Sequence, residues 1–185
     1  GHFSTVFKAR PPPSDDDRNE YVASEVAVKI TKPRACNTKI AAEIDTMREL
    51  QKFSETAFAQ LLGSFTFTQS AHTHHVLVMP IYDCNLYEFV TSRYVHRRQI
   101  VPLHLIQSCC KQILLGLSIM HTNKFVHGDV KLDNIFVVLG GSDDVLSRVV
   151  IGDFGSCQHE DTPQDGEGRT PQYTDPMVIL GYRSH

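Results

Sequence analysis

The sequence predicts an α+β fold in which a β-rich first part is followed by an α-rich second part. Short segments rich in Val, Phe and Thr, which are typical of strands, dominate the first part and surround one amphipathic helical pattern. The longest run of helical periodicity, over 102–121, lies in the second part. Strands and helices are therefore segregated along the chain rather than alternating.

In the first part, strands are predicted at 3–9, 22–31, 58–68 and 74–82. A helix is predicted over 38–52, because its apolar residues recur at spacings of 4, 3 and 3. These residues are Ile40, Ile44, Met47 and Leu50. The Pro- and Asp-rich segment between the first two strands is predicted to be a solvated loop.

In the second part, a short helix is predicted at 85–90 and a longer one at 102–121, followed by strands at 135–139 and 148–154. The buried stripe of the longer helix is predicted from apolar residues at spacings of 4, 3, 4 and 3. These are Ile106, Cys110, Ile113, Leu117 and Met120. The polar segment 156–170 is predicted to be a mobile loop.

Composition restricts the class of protein. The 185 residues include 41% hydrophobic ones, enough for a real core, and a net charge of −3 favours neither nucleic acid nor an anionic membrane as partner. No uninterrupted apolar run approaches the roughly 18 residues of a membrane span. The five cysteines form no disulfide or zinc pattern, so we expect free thiols and an intracellular location, in the cytoplasm, the nucleus or both.

The residues with the strongest chemical signal lie in the segment "HGDVKLDN", 127–134. Asp129 could accept a proton from a hydroxyl group, and Lys131 could neutralise a phosphoryl group. Asn134, together with Asp153 of "IGDFG", offers the oxygen ligands that Mg²⁺ prefers. These are the parts that phosphoryl transfer requires.

Two further charged residues are candidate functional residues only when they are considered together. Lys29 lies in the strand segment "VAVKI", and Glu43 lies 14 positions later in the predicted helix. A strand lysine can pair with a glutamate of a helix that packs above it. Taken singly, a lysine that alternates with apolar residues is usually just on the solvated face of a strand.

The order of these segments resembles that of a eukaryotic protein kinase domain, and the match covers essentially the whole chain. The shared order is Val-Ala-Val-Lys, a helix Glu, His-x-Asp-x-Lys-x-x-Asn and Asp-Phe-Gly. The resemblance implies a bilobal fold, with a β-rich N-lobe and hinge at 1–82 and an α-rich C-lobe at 83–185. It also implies a truncated fragment that lacks the first strand and the later C-lobe, with apolar surface left bare and low stability by itself.

Two short segments narrow the resemblance to one group of protein kinases. "GHFSTV" is similar to the end of the glycine-rich loop of SR-protein kinases, and "CNLYEFV" is similar to dual-specificity tyrosine-regulated kinases. Both belong to a group that also holds cyclin-dependent and Cdc2-like kinases. The chain thus resembles this group and, within it, SR-protein kinases most.

The resemblance implies a role for each candidate. Asp129 would be the catalytic base, Lys131 would contact the γ-phosphate, and Asn134 and Asp153 would bind Mg²⁺. Lys29 would hold the α- and β-phosphates of ATP and pair with Glu43. The remaining nucleotide-binding residues would be Gly1, Val6, Ala27, Met79, Pro80 and Tyr82.

The implied activity is transfer of the γ-phosphate of Mg·ATP to Ser or Thr of a protein substrate. Lys131, two positions after Asp129, is the pattern of serine/threonine kinases. Similarity to SR-protein kinases implies substrates rich in Arg and Ser. No nucleic-acid or membrane partner is expected.

Two positions depart from the family pattern. Gly128 replaces the Arg that usually grips a phosphate on the activation loop, so we expect activity to be independent of such a phosphate. Met177 replaces the Glu of an Ala-Pro-Glu-like segment, which puts the anchoring of that loop in doubt. Two alternatives therefore stay open: a pseudokinase that acts as a binding scaffold, and a small-molecule kinase of the aminoglycoside or choline type, which shares "HGD…N".

Overall fold

A computed structural model describes most of the chain. The described residues are 4–10, 25–32, 37–141 and 146–161. Two compact units are distinguished, 1–48 with 60–81 and 49–59 with 82–185. The predicted lobe boundary after residue 82 stays a prediction. The first residue, the strand start at 22–24 and Met177 lie outside the described residues.

The first unit contains an antiparallel sheet of four strands, arranged in the order β1-β2-β4-β3. Its strands are β1 (Ser4–Ala9), β2 (Val26–Thr31), β3 (Gly63–Gln69) and β4 (His72–Pro80). A tight turn at Ser70 and Ala71, with φ of 50° and 64°, joins β3 to β4. β4 therefore begins two residues before the predicted strand, and His72 belongs to the sheet rather than to a loop.

Helix α1 (Asn37–Phe53) confirms the predicted amphipathic pattern. All members of its predicted apolar stripe are buried, with exposed fractions of 0–8%. Glu43, which lies beside this stripe, is also buried, with 7% exposed. Because an ionised carboxylate is costly to bury without a partner, Glu43 must be paired.

The second unit combines helices with two small sheets. The strands β5 (Cys84–Asn85), β7 (Ile135–Leu139) and β8 (Leu146–Ile151) form one sheet, and β6 (Phe125–Val126) with β9 (Gln158–His159) forms the other. The helices are α2 (Leu86–Val90) and α3 (Leu103–Thr122), with a π-helical turn at Thr91–Val95. Short 3₁₀ turns occupy Leu132–Asn134 and Phe154–Ser156.

Helix α2 starts at a capping box. The Asn85 side chain accepts a hydrogen bond from the Glu88 backbone N–H at 2.8 Å, and the Glu88 carboxylate accepts one from the Asn85 N–H at 3.2 Å. These reciprocal bonds satisfy backbone donors that a helix start leaves free. They explain why the predicted helix at 85–90 begins where it does.

The buried stripe of α3 differs from the prediction. Ile113 and Met120 are buried as predicted, whereas the predicted Ile106 is 40% exposed, and Cys109 and Gly116 are buried instead. The helix packs closely on β8 at Gly116, where a Cβ would lie 2.7 Å from Cδ1 of Ile151. A glycine carries no apolar side chain, so sequence periodicity does not reveal that this face of the helix packs on the sheet.

The segment 58–62 is not part of the sheet of the first unit, which corrects the predicted strand at 58–68. Phe58 forms an isolated parallel bridge with Ile151 of β8, supported by Ala59 N to Ile151 O at 2.7 Å and Ile151 N to Ala57 O at 2.9 Å. The start of the segment is therefore bonded to β8, whereas the Leu62 N–H donates to the Val78 carbonyl oxygen of β4 at 2.8 Å, directly before β3 begins at Gly63.

Part of the predicted loop at 156–170 forms a strand. Gln158 and His159 form β9, which pairs with Val126 and Phe125 of β6, respectively. The backbone pairing overrides the polar composition from which a loop was predicted. Residues 162–170 lie outside the described residues.

Helix α3 has a second notable property. Among the described residues, it alone is long and apolar enough to cross a membrane by length and composition, a property that it shares with core helices of soluble proteins. Its apolar side chains Leu103, Leu114 and Leu115 are 67%, 64% and 60% exposed, respectively.

Candidate active site

In the first unit, Lys29 and Glu43 form a buried ion pair. The Nζ of Lys29 in β2 lies 2.6 Å from Oε1 of Glu43 in α1, and the two side chains are only 16% and 8% exposed. The pair meets the requirement that a buried charge be compensated. The structure thus brings together the two charged residues that the sequence predicted to pair.

Other predicted nucleotide-binding residues lie on the same sheet face as Lys29. Val6 is directly opposite Lys29, and Met79 is directly opposite Ala27. Directly opposed residues share a face, and so do residues two apart along a strand. Val6, Ala27, Lys29 and Met79 therefore line one face, and Val6 is 59% exposed there.

Two other predicted nucleotide-binding residues, Pro80 and Tyr82, lie at the end of β4 and just beyond it. Pro80 is the last residue of β4, in the first unit. Tyr82, in the second unit, stacks its half-buried ring on Phe136 of β7, with centroids 5.2 Å apart and an interplanar angle of 9°.

In the second unit, His127 connects the candidate catalytic loop to the segment around Asp153. Its ring is 2% exposed, and Nε2 lies 3.0 Å from the Gly152 carbonyl oxygen. Nδ1 accepts a hydrogen bond from the Asp129 N–H at 3.3 Å, so the proton of the neutral ring must be on Nε2. Burial lowers the pKa of His127 below its ordinary value, which keeps the ring neutral.

The predicted catalytic residues form a hydrogen-bonded cluster. Oδ2 of Asp129 lies 2.7 Å from Nζ of Lys131 and accepts a bond from Nδ2 of Asn134 at 3.0 Å. Nδ2 of Asn134 also donates to the backbone oxygen of Asp129 at 2.8 Å. Because both Asn134 partners are acceptors, the amide orientation is fixed and its Oδ1 points away from them.

Asp153 is held next to this cluster through the backbone. Gly152 N donates to the Asn134 carbonyl oxygen at 2.9 Å, so the two predicted Mg²⁺ ligands are connected by one hydrogen bond. Asp153 is exposed and has left-handed backbone angles, φ 61° and ψ 73°. Such a conformation is uncommon for a residue with a side chain and tends to occur at functional sites.

The donor chemistry of these two residues fits Mg²⁺. An amide oxygen and a carboxylate are hard oxygen ligands, and Mg²⁺ usually takes only a few protein ligands together with water and substrate phosphate. Among the described residues, no group of three or more His, Cys, Asp and Glu side chains could hold a metal ion.

Gly128 is required for a close approach of two backbones. Its φ is +77°, and a Cβ at this position would lie 2.8 Å from the backbone oxygen of Ser156. Any other residue would force the segment after Asp153 away from the catalytic loop. The Arg expected here from the family pattern could not be accommodated without such a shift.

Sequence reasoning missed two residues of the site, Gly152 and Phe136. A Cβ at Gly152 would lie 2.3 Å from Cε2 of the Phe136 ring, so the glycine makes room for the aromatic side chain. The available signal was a glycine directly before Asp153 and an aromatic residue two positions after Asn134.

Comparison with known proteins identifies the family that this fold and these residues define. The whole chain, residues 1–185, matches the protein kinase domain, and the chain belongs to this family. The membership confirms the predicted α+β kinase fold class.

Among its relatives, the serine/threonine-protein kinase SRPK of Physarum polycephalum is 34% identical over 143 residues, which cover 74% of this chain and 31% of the relative. The probable serine/threonine-protein kinase clkA of Dictyostelium discoideum is 29% identical over 98% of this chain and 22% of its own length. Cyclin-dependent kinase 4 of Xenopus laevis is 28% identical over a segment that covers 88% of this chain and 49% of the relative. The chain is thus similar to serine/threonine kinases of the group predicted from its motifs, and it spans less than half of each of these relatives.

Replacing Lys29 by Met is expected to lower the free energy of unfolding by about 3 kcal/mol, because the buried Glu43 charge loses its partner. The double variant Lys29→Met/Glu43→Met removes both charges and is expected to recover most of that loss. Urea unfolding of the single and double variants measures the coupling. Equal losses in the single and double variants would contradict the ion pair.

Replacing Gly128 by Ala is expected to lower the free energy of unfolding by about 1–3 kcal/mol, because the new methyl group meets the Ser156 backbone oxygen and φ is positive. The matched control is Gly141→Ala, since a Cβ at Gly141 meets nothing within 4 Å. Thermal unfolding of both variants tests the prediction, and equal shifts would contradict it.

The His127 ring is expected to make stability fall in acid. Its folded-state pKa is lower than its ordinary value of 6.5, so the unfolded state binds the proton more tightly. The contribution is therefore complete above pH 6.5 and is lost as the pH falls from there through the lowered folded-state pKa. Melting temperatures at about pH 7.5 and about pH 5 should differ more for the wild type than for His127→Gln, and an equal difference would refute this assignment.

Proposed function

We propose that this chain is part of a serine/threonine protein kinase that transfers the γ-phosphate of Mg·ATP to a protein hydroxyl group. The observation that carries the proposal is the cluster of Asp129, Lys131 and Asn134 around a single carboxylate oxygen. Membership of the protein kinase domain family supports it. The same membership favours a protein substrate over a small molecule.

Asp129 is proposed to accept the proton of the substrate hydroxyl group. Its Oδ2 is engaged by Lys131 and Asn134, whereas its Oδ1 has no hydrogen-bond partner among the described residues. The side chain is 39% exposed, so a substrate can approach it. A carboxylate held on one oxygen and open on the other is suited to orient and deprotonate a hydroxyl group.

Lys131, Asn134 and Asp153 are proposed to serve the phosphate and metal. Bound Mg²⁺ supplies positive charge that neutralises the transferring phosphoryl group. Asn134 Oδ1 and the Asp153 carboxylate would hold the ion. The Lys131 ammonium has three donors, so it can contact the γ-phosphate while it keeps its bond to Asp129.

Lys29 is proposed to hold the α- and β-phosphates, oriented by its pairing with Glu43. Gly1, Val6, Ala27, Met79, Pro80 and Tyr82 are proposed to bind the rest of the nucleotide. Support comes from the shared sheet face of Val6, Ala27, Lys29 and Met79. The backbone N–H of Tyr82 and the carbonyl of Pro80 would receive the adenine, and proline keeps the carbonyl that this role needs.

The protein substrate is proposed to be rich in Arg and Ser. Support comes from the "GHFSTV" segment and from the similarity to the P. polycephalum kinase SRPK. Exposed carboxylates at Asp133 and Glu160 would favour a basic substrate. Lys131, two positions after Asp129, favours Ser or Thr as the acceptor.

The test is transfer of labelled phosphate from Mg·ATP to an Arg/Ser-rich peptide and to a generic basic protein. We expect phosphoserine, a preference for the Arg/Ser-rich peptide, and loss of at least about 100-fold of the rate in Asp129→Asn and in Asp153→Asn. Lys52→Met, on the exposed surface of α1, is the control that should keep the rate. A folded wild-type chain that binds ATP without transfer would instead support the pseudokinase.

Activity is further expected to be independent of phosphate on the chain itself. Gly128 leaves no Arg at the position that would grip such a phosphate. Treatment with a phosphatase, followed by its removal, should leave the rate of peptide phosphorylation unchanged. A phosphatase-treated chain that lost its activity would contradict this expectation.

A further inference from the structure

The segment that follows Asp153 runs antiparallel to the segment that leads into the catalytic loop. Phe125 pairs with His159, and their rings meet edge to face with centroids 4.8 Å apart. The backbone N–H of Glu160 donates to the Lys124 carbonyl oxygen at 2.9 Å. The contact between these two segments thus continues beyond the close approach at Gly128.

An ion pair between Lys124 and Asp161 lies at the end of this contact that is farthest from Gly128. Nζ of Lys124 lies 2.9 Å and 3.1 Å from the two carboxylate oxygens of Asp161, which is 37 positions away in the chain. Both side chains are largely exposed, 54% for Lys124 and 63% for Asp161. The pairing raises the pKa of Lys124 and lowers the pKa of Asp161, so both groups stay charged at neutral pH.

Lys124 has a backbone conformation that is unusual for a residue with a side chain. Lys124 follows the C-cap Asn123 of α3 and has a φ of 61°. Glycine is the residue usually found in this left-handed position after a helix, because it has no Cβ. A lysine is disfavoured there, and in this protein its side chain pairs with Asp161.

We propose that Lys124 and Asp161 form a built-in clasp that positions the segment after Asp153 against the catalytic loop. This proposal rests on the proposed function and explains how the chain manages without an Arg at position 128. The clasp consists of two charges that the chain itself carries, so it needs no added phosphate. Lys124 and Asp161 are positioning residues, since they act through the backbone that carries Asp153.

The test measures kcat and KM of the phosphatase-treated full chain with Mg·ATP and the Arg/Ser-rich peptide. Lys124→Met and Asp161→Asn are each expected to lower kcat about two- to fivefold, the range that exposed ion pairs contribute. KM for ATP should stay unchanged, because neither side chain is placed among the nucleotide-binding residues. Lys124→Arg should keep the wild-type kcat.

The reversed pair Lys124→Asp/Asp161→Lys is the decisive variant, because it restores the attraction with the charges exchanged. It should recover most of the kcat lost in the single variants. The matched control is Lys52→Met, which breaks the exposed ion pair with Glu49, 2.6 Å long, in α1 and should leave kcat unchanged. Hydrogen exchange at the Glu160 amide should quicken in Asp161→Asn and return to the wild-type rate in the reversed pair.

The outcomes separate this proposal from the proposed function. An active wild type with unchanged kcat in Lys124→Met and Asp161→Asn, or with no recovery in the reversed pair, overturns the clasp alone. A wild type without phosphate transfer overturns the proposed function and the catalytic role of the clasp with it. Unchanged exchange at the Glu160 amide in Asp161→Asn overturns the clasp whether or not the chain is active.

Discussion

The arrangement of the candidate site in the second unit depends on the buried ring of His127. Its Nε2–H is bonded to the Gly152 carbonyl, and its Nδ1 accepts the Asp129 N–H, so one imidazole connects the residues beside both candidate catalytic carboxylates. This bonding requires a neutral ring with its proton on Nε2. Burial, at 2% exposure, lowers the pKa and enforces that state. His127 in this tautomer therefore fixes Asp129 relative to Asp153 together with the bond from Gly152 N to the Asn134 carbonyl oxygen.

Around this histidine, glycines let the backbones approach closely. Gly128 lies against the Ser156 carbonyl, and Gly152 lies against the Phe136 ring. A side chain at Gly128 would push the segments that carry Asp129 and Asp153 apart, and a side chain at Gly152 would displace the Phe136 ring. The left-handed backbone of Asp153 persists because its neighbours are fixed on both sides.

The charged candidate residues of the two units are held in place by different physical means. Lys29 and Glu43 are nearly buried, so each charge needs the other and the pair holds one geometry. Asp129 and Lys131 are 39% and 32% exposed, and hydrogen bonds rather than burial hold them in place. The first arrangement fixes the orientation of the Lys29 side chain, and the second leaves the Asp129 carboxylate accessible to solvent.

Sequence by itself determined what local chemistry and periodicity express. The stripe of α1, the capping box at Asn85 and the cluster from Asp129 to Asn134 follow from residues close together in the chain. The order of motifs also identified the kinase family. Only tertiary structure decided the features that depend on an absent side chain or on distant backbone partners. The buried face of α3 includes Gly116 because the helix packs closely on β8 there. Phe58 pairs with β8 instead of joining β3. β9 forms from polar residues because β6 lies beside it. A glycine has no hydrophobicity to read, and a backbone hydrogen bond leaves no trace in residue type, so these contacts become visible only when the chain is folded.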